Sequence, residues 1–131
     1  MTWKRADGLR TIEFGTVGES RSTLLNFLLN GNKRATAGLL EFDYEADEPI
    51  EEIGDVMVVL GNHGEEVGRI KVTRVEIARF ADVPDEFALA EAEGDLSGDD
   101  FRQSHRAYWE AEGIEVKDDT QVVLVYFDLL Q

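Results

Sequence analysis

The sequence predicts an α+β fold in which mostly antiparallel strands curl into a small barrel flanked by helices. Three observations carry that prediction. Strand-like and helix-like stretches follow one another as β-α-β-β-β-α-α-β, without the regular βαβ alternation that builds a parallel doubly wound sheet. The longest strand-like run, Val67 to Phe80, changes phase between Val72 and Val75, the mark of a bulge of the kind that turns barrel corners. No internal repeat, low-complexity tract or linker divides the 131 residues, so 1–131 reads as one domain with its core over about 9–130.

Each element has a local reason. Trp3, Lys4, Arg5 and Gly8 follow no period and read as a lead-in, and Leu9 to Phe14 then alternates apolar and polar residues as a first strand. Gly15 and Gly18 break that strand. Ser22 to Asn30 reads as a short amphipathic helix, with Ser20 or Ser22 as its N-cap and Gly31 where a helix end favours positive φ. An extended run from Ala35 to Tyr44 leads into the acidic stretch Asp43 to Glu52, read as a solvated loop. Ile53-Gly54-Asp55 turns the chain into the apolar strand Val56 to Leu60, and Gly61-Asn62-His63-Gly64 is a turn into the long strand. Pro84 followed by alanine-rich sequence predicts a short helix stopped at Gly94. Ser97-x-x-Asp100 opens another helix, which carries Phe101, Ser104 or His105, Tyr108 and Trp109 and stops at Gly113. Thr120 to Leu130 is dense in β-branched and aromatic residues, as a central strand is.

Composition narrows the chemistry. The chain has no cysteine, which removes disulfides, thiol catalysis and cysteine-based zinc sites. No apolar run reaches membrane-span length and the N-terminal residues lack a signal-peptide apolar region, so a cytoplasmic setting without membrane contact is expected. The net charge of −15 repels polyanions, and duplex DNA is not an expected partner. Neither His63 nor His105 belongs to a His-Glu-x-x-His spacing, and phosphate-cradling glycine motifs are absent, so no metal or cofactor is expected.

Two groupings remain. In Gly31-Asn32-Lys33-Arg34-Ala35-Thr36, two cations and a threonine sit at a helix-to-strand junction. A Lys-Arg pair there also serves as favourable charge at the negative end of a helix dipole. The second grouping is Glu91-x-Glu93-Gly94-Asp95, between two predicted helices. Should Lys33, Thr36 and Glu93 converge, they supply a nucleophile, a base and an orienting acid. A lysine base needs a depressed pKa, which burial favours and a nearby carboxylate opposes; otherwise Lys33 stays cationic and polarises a carbonyl.

These groupings resemble the ASCH domain (activating signal cointegrator homology). Gly31 to Thr36 matches its Gly-x-Lys-x-x-Thr signature. Val83-Pro84-Asp85-Glu86-Phe87-Ala88, Glu91 to Ser97 and Phe101-Arg102-Gln103-Ser104-His105 resemble its second block, and the likeness runs from about Leu9 to Leu130. The resemblance implies a barrel related to the PUA domain, with a cleft suited to nucleosides or RNA. One branch of the family hydrolyses N4-acetylcytidine with a threonine, a lysine and a glutamate, which by motif correspond here to Thr36, Lys33 and Glu93. Glu91, two residues away, competes for the glutamate role. Arg34, Tyr44 and Glu91 are expected to bind substrate. The alternative is a module, ribonuclease-like in some relatives, that holds short single-stranded RNA in the same cleft, with Lys33 and Arg34 on phosphates and Tyr44 or Trp109 stacking a base.

Overall fold

The computed structural model describes residues 5–44 and 48–130; Trp3 and Lys4 of the lead-in and the middle of the acidic stretch lie outside them. The elements are β1 (Arg5–Ala6), β2 (Leu9–Ile12), α1 (Glu19–Leu29), β3 (Ala35–Leu39), β4 (Val56–Leu60), β5 (Glu66–Arg79), a 3-10 turn at Phe80–Asp82, α2 (Asp85–Glu91), α3 (Gly98–Ala111) and β6 (Gln121–Leu130). One six-stranded mixed sheet runs in the order β1-β2-β4-β5-β6-β3. β2 lies parallel to β4 and the other pairings are antiparallel.

Alternation along β6 explains the layering. Val123, Val125 and Phe127 face a core shared with Leu24, Leu25 and Leu28 of α1, while Val122, Leu124 and Tyr126 face Phe87 of α2 and Phe101 and Trp109 of α3. A strand buried on both sides needs a nearly continuous apolar run, which is what residues 122–127 supply. The phase slip in β5 is real: its register against β6 shifts between Val72 and Arg74.

The sheet does not close into the barrel expected from the sequence. β2 and β3 are not paired with each other among the described residues, and the run expected to extend to Tyr44 stops at Leu39. The Leu39 amide is taken at 2.6 Å by the Asp43 carboxylate, so a side chain stands where a further strand would bond. The acidic stretch is likewise not a solvated loop throughout. Glu48 and Glu51 are buried; Glu48 pairs with Arg5 at 3.2 Å, and Glu51 accepts from the Tyr44 hydroxyl at 2.6 Å. Apposed charges compensate the cost of burying these acids, and composition alone did not reveal them.

Helix ends show the same contrast. Neither Ser20 nor Ser22 caps α1: both lie inside the helix, Gly18 holds the cap position, and the Ser22 hydroxyl accepts from Asn62 at 2.9 Å. Ser97 does cap α3, accepting from the Asp100 amide at 3.1 Å. Beside it, Gly98 packs so closely on the Val83 carbonyl that an added Cβ would overlap that oxygen. Gly98→Ala is therefore expected to cost about 2 kcal/mol or more in urea unfolding, because both partners are backbone-bound and cannot move aside. A variant as stable as the parent would show that α3 is free to shift.

The three tyrosines give a second solution test. Burial raises the pKa of Tyr44, with Glu51 adding to it; burial also raises Tyr108, with Glu112, and Tyr126, where Arg74 opposes it. A near-ultraviolet pH titration of the native protein is expected to have its tyrosinate midpoint above the ordinary value of about 10. The sign follows from linkage. Folded pKa values above the unfolded ones contribute stability below the unfolded value, and that contribution is lost as pH rises through the folded values. A native midpoint at the ordinary value would contradict the burial of Tyr126 and the enclosure of Tyr44 beside Glu51.

Candidate active site at the open seam of the sheet

The seam between β2 and β3 holds a cavity of about 540 Å³, lined by Thr11 to Gly15 on one side and Thr36 to Gly38 on the other. Its volume falls in the range of about 300–1,000 Å³ common for small-molecule sites. Ser104, His105 and Tyr108 of α3 complete the wall, with Tyr44, Glu51, Glu91 and Glu93. Buried Arg21 shapes the β2 side. Its guanidinium donates to the carbonyls of Phe14 and Gly15 at 3.1 Å each and pairs with Glu13 at 3.3 Å. Sequence reasoning did not single out Arg21, whose role becomes visible only when the turn it braces is folded.

Lys33 is 1% exposed. The chain reaches it through the end of α1, where Gly31 takes φ +86° and the Phe27 carbonyl accepts from both Asn32 and Lys33. Its Nζ donates to Ala35 O at 2.9 Å, Glu91 O at 3.1 Å and Glu93 Oε2 at 2.9 Å, and lies 5.1 Å from the centre of the Phe14 ring. Three acceptors call for three N–H donors, which only the ammonium form supplies. Of the two roles open to Lys33, the geometry favours the cation. It does stand at a helix C-terminus, but that of α2, whose last carbonyl is Glu91 O.

The acidic grouping is split by one backbone reversal. α2 ends at Glu91, not at Gly94, and Ala92 takes the left-handed conformation (φ 55°, ψ 39°). Glu91 and Glu93 are thereby turned to different partners. Glu93 pairs with Lys33, while the buried Glu91 carboxylate lies 3.2 Å from His105 Nε2. That approach is close enough for an ion pair but off the line of a hydrogen bond, leaving Glu91 Oε1 without an aligned donor. Burial pushes the Glu91 pKa up, against the pull of His105 and Lys33. Burial opposes charge on His105, but Glu91, Glu93 and the Phe101 carbonyl outweigh it and raise its pKa. Both directions favour a proton held on the pair.

The remaining predicted residues separate. Thr36 is half-buried in the cavity wall with no side-chain hydrogen bond among the described residues. Tyr44 is in the same wall, its hydroxyl committed to Glu51. Trp109 is buried against Phe101 and His105 and reaches the cavity wall from the core. Arg34 does not join them. Its side chain is exposed and lines a different depression, with Asn32, Leu89 and Tyr126, whereas that of Lys33 is buried. His105 and Glu91 form a grouping with Glu93 that no short motif marks, since two helices and a turn bring them together.

Among the described residues, no helix is long and apolar enough to cross a membrane. No curated protein matches the chain. Among solved structures, an ASCH domain from Lactobacillus crispatus JV V101 is similar at TM-score 0.78 and 27% identity, over 91% of this chain and 77% of that one. A protein from Enterococcus faecalis V583 shares the fold at TM-score 0.78 and 24% identity, over 90% of this chain and 74% of the other. The ASCH domain model matches residues 10–131, which include both the Lys33–Thr36 junction and the Glu91–His105 wall. The chain belongs to the ASCH domain family.

Proposed function

We propose that the protein is a hydrolase that removes the acyl group from an N4-acylated cytidine-type nucleoside. One observation carries the reading: Glu93, paired from behind the wall with the buried Lys33 ammonium, lines the same nucleoside-sized cavity as Thr36, whose hydroxyl is not committed to another side chain. In this reaction Thr36 Oγ1 attacks the acyl carbon and Glu93 accepts its proton. The tetrahedral oxyanion is stabilised by the field of the Lys33 ammonium behind the wall, the bond to N4 breaks, and the amine leaves with the proton that Glu93 accepted. Water then hydrolyses the threonine ester and frees the acid. Glu91 and Tyr44 line the substrate space, and the reaction calls for no organic cofactor.

The RNA-binding alternative is less well supported. Phosphates need accessible cations, yet Lys33 has all three donors engaged and Arg34 lies in the other depression. A neutral nucleoside also avoids the repulsion of a surface carrying −15. Incubation of purified protein with N4-acetylcytidine, and separately with short single-stranded RNA, distinguishes the two. Release of cytidine and acetate is the expected result; RNA binding without turnover of the nucleoside would favour the module.

A further inference from the structure

We propose that Glu91, Glu93 and His105 form a binding site for a divalent transition-metal ion in the cavity wall. One ligand atom from each lies within 4.8 Å of the other two. The Glu91 side chain is only 2% exposed, and its Oε1 points at His105 Nε2 across 3.2 Å without an aligned hydrogen bond. Neighbouring ligands of a tetrahedral ion with bonds of about 2.0–2.2 Å stand about 3.4 Å apart. The Glu91–His105 gap is thus already close to that of two metal ligands. Glu93 has to close in by up to about 1.4 Å to complete the set, and its side chain, 27% exposed, has the freedom to do so.

The imidazole is mounted as a ligand is. Its Nδ1 faces the Phe101 carbonyl at 3.1 Å, which only accepts, so Nδ1 carries a hydrogen and Nε2 is turned to the cluster. Stacking on Phe101, with ring centres 3.9 Å apart, holds the ring plane. Anchoring the second nitrogen on a carbonyl is the usual support of a metal-bound histidine.

Charge bears on the same point. Asp95 stands 3.7 Å from Nδ1, held by the Ser104 hydroxyl at 2.9 Å. Once the ion displaces the proton held by the Glu91–His105 pair, the carboxylates of Glu91, Glu93 and Asp95 face the single ammonium of Lys33. The remainder is two negative charges, which a divalent cation neutralises. Lys33 opposes a cation at Glu93, but it occupies only Oε2 and leaves the other oxygen to the ion. Imidazole joined to carboxylates suits zinc, manganese or iron better than calcium or magnesium, which prefer all-oxygen sites. Three protein ligands leave open positions for water or a ligand from the cavity. The inference does not rest on the hydrolase reading, and ion binding is measured without substrate.

The test uses the whole chain, stripped with chelator and titrated calorimetrically with zinc chloride at an ionic strength that screens surface acids. One saturable site is expected. His105→Ala and Glu91→Gln should each weaken it by at least about tenfold, whereas Asp99→Asn, at a site 90% exposed, should leave it unchanged. A measurement on the unmodified protein guards against variants that fail to fold. Substoichiometric manganese should broaden the imidazole resonances of His105 before those of His63, the other histidine in the chain. No saturable binding, affinity indifferent to His105→Ala, or equal broadening of both histidines overturns the site.

Discussion

Thr36→Ala, Lys33→Ala and Glu93→Ala are each expected to lower the rate of N4-acetylcytidine hydrolysis by about 10²–10³-fold or more. The effects should not add. A nucleophile, the acid that takes its proton and the cation that stabilises the oxyanion act in one step, so a chain lacking one has little left to lose with a second. Thr36→Ser keeps the hydroxyl and should recover part of the rate. Circular dichroism of each variant separates loss of chemistry from loss of fold. A Thr36→Ala protein with parental turnover would remove threonine from the mechanism, and full additivity of the three would mean that they do not act as a unit. A binding module predicts another pattern, in which Thr36→Ala barely matters.

Replacing Lys33 by methionine should cost roughly 3 kcal/mol of stability, read from urea unfolding. Methionine keeps most of the volume, so packing is not the main loss. The cost comes from the Ala35 and Glu91 carbonyls, deprived of a donor where water has little access; an unsatisfied buried group costs about 1–3 kcal/mol. Glu93 loses its cation as well, but its side chain is 27% exposed and solvent softens that penalty. Glu93→Gln alone should therefore cost less than Lys33→Met. If Lys33→Met cost under about 1 kcal/mol, water would have to reach the two carbonyls, and the picture of a dry lysine would fail.

These two expectations bear on one residue for different reasons, and the tests are separable. Activity measured where the variants remain folded reports the chemistry, and denaturant midpoints report the burial. The gap between the chemical and structural roles of Lys33 also bears on its place in the chain. A lysine already engaged three times by backbone and carboxylate is a fixed charge, so its contribution to the reaction is positional electrostatics and not proton exchange.

Local signals in the sequence determined much of the chain: β4 from its apolar run, the bulge of β5 from a phase slip, the cap of α3 from Ser97, and the end of α1 from Gly31. Such signals act within a few residues, so they survive without knowledge of neighbours. The partnership of Lys33 with Glu93 was legible through a family motif, since no local rule joins residues so far apart in the chain. Only the tertiary structure decided that the sheet stays open, because the Asp43 side chain takes the Leu39 amide at the free edge of β3. It also buried Glu48 and Glu51 beside arginines, which a charge count reads as solvated. It put Arg34 into a different depression from the Lys33 site, and it set His105 against Glu91. Those outcomes depend on which charge meets which across the fold, and composition and periodicity carry no information about such pairings.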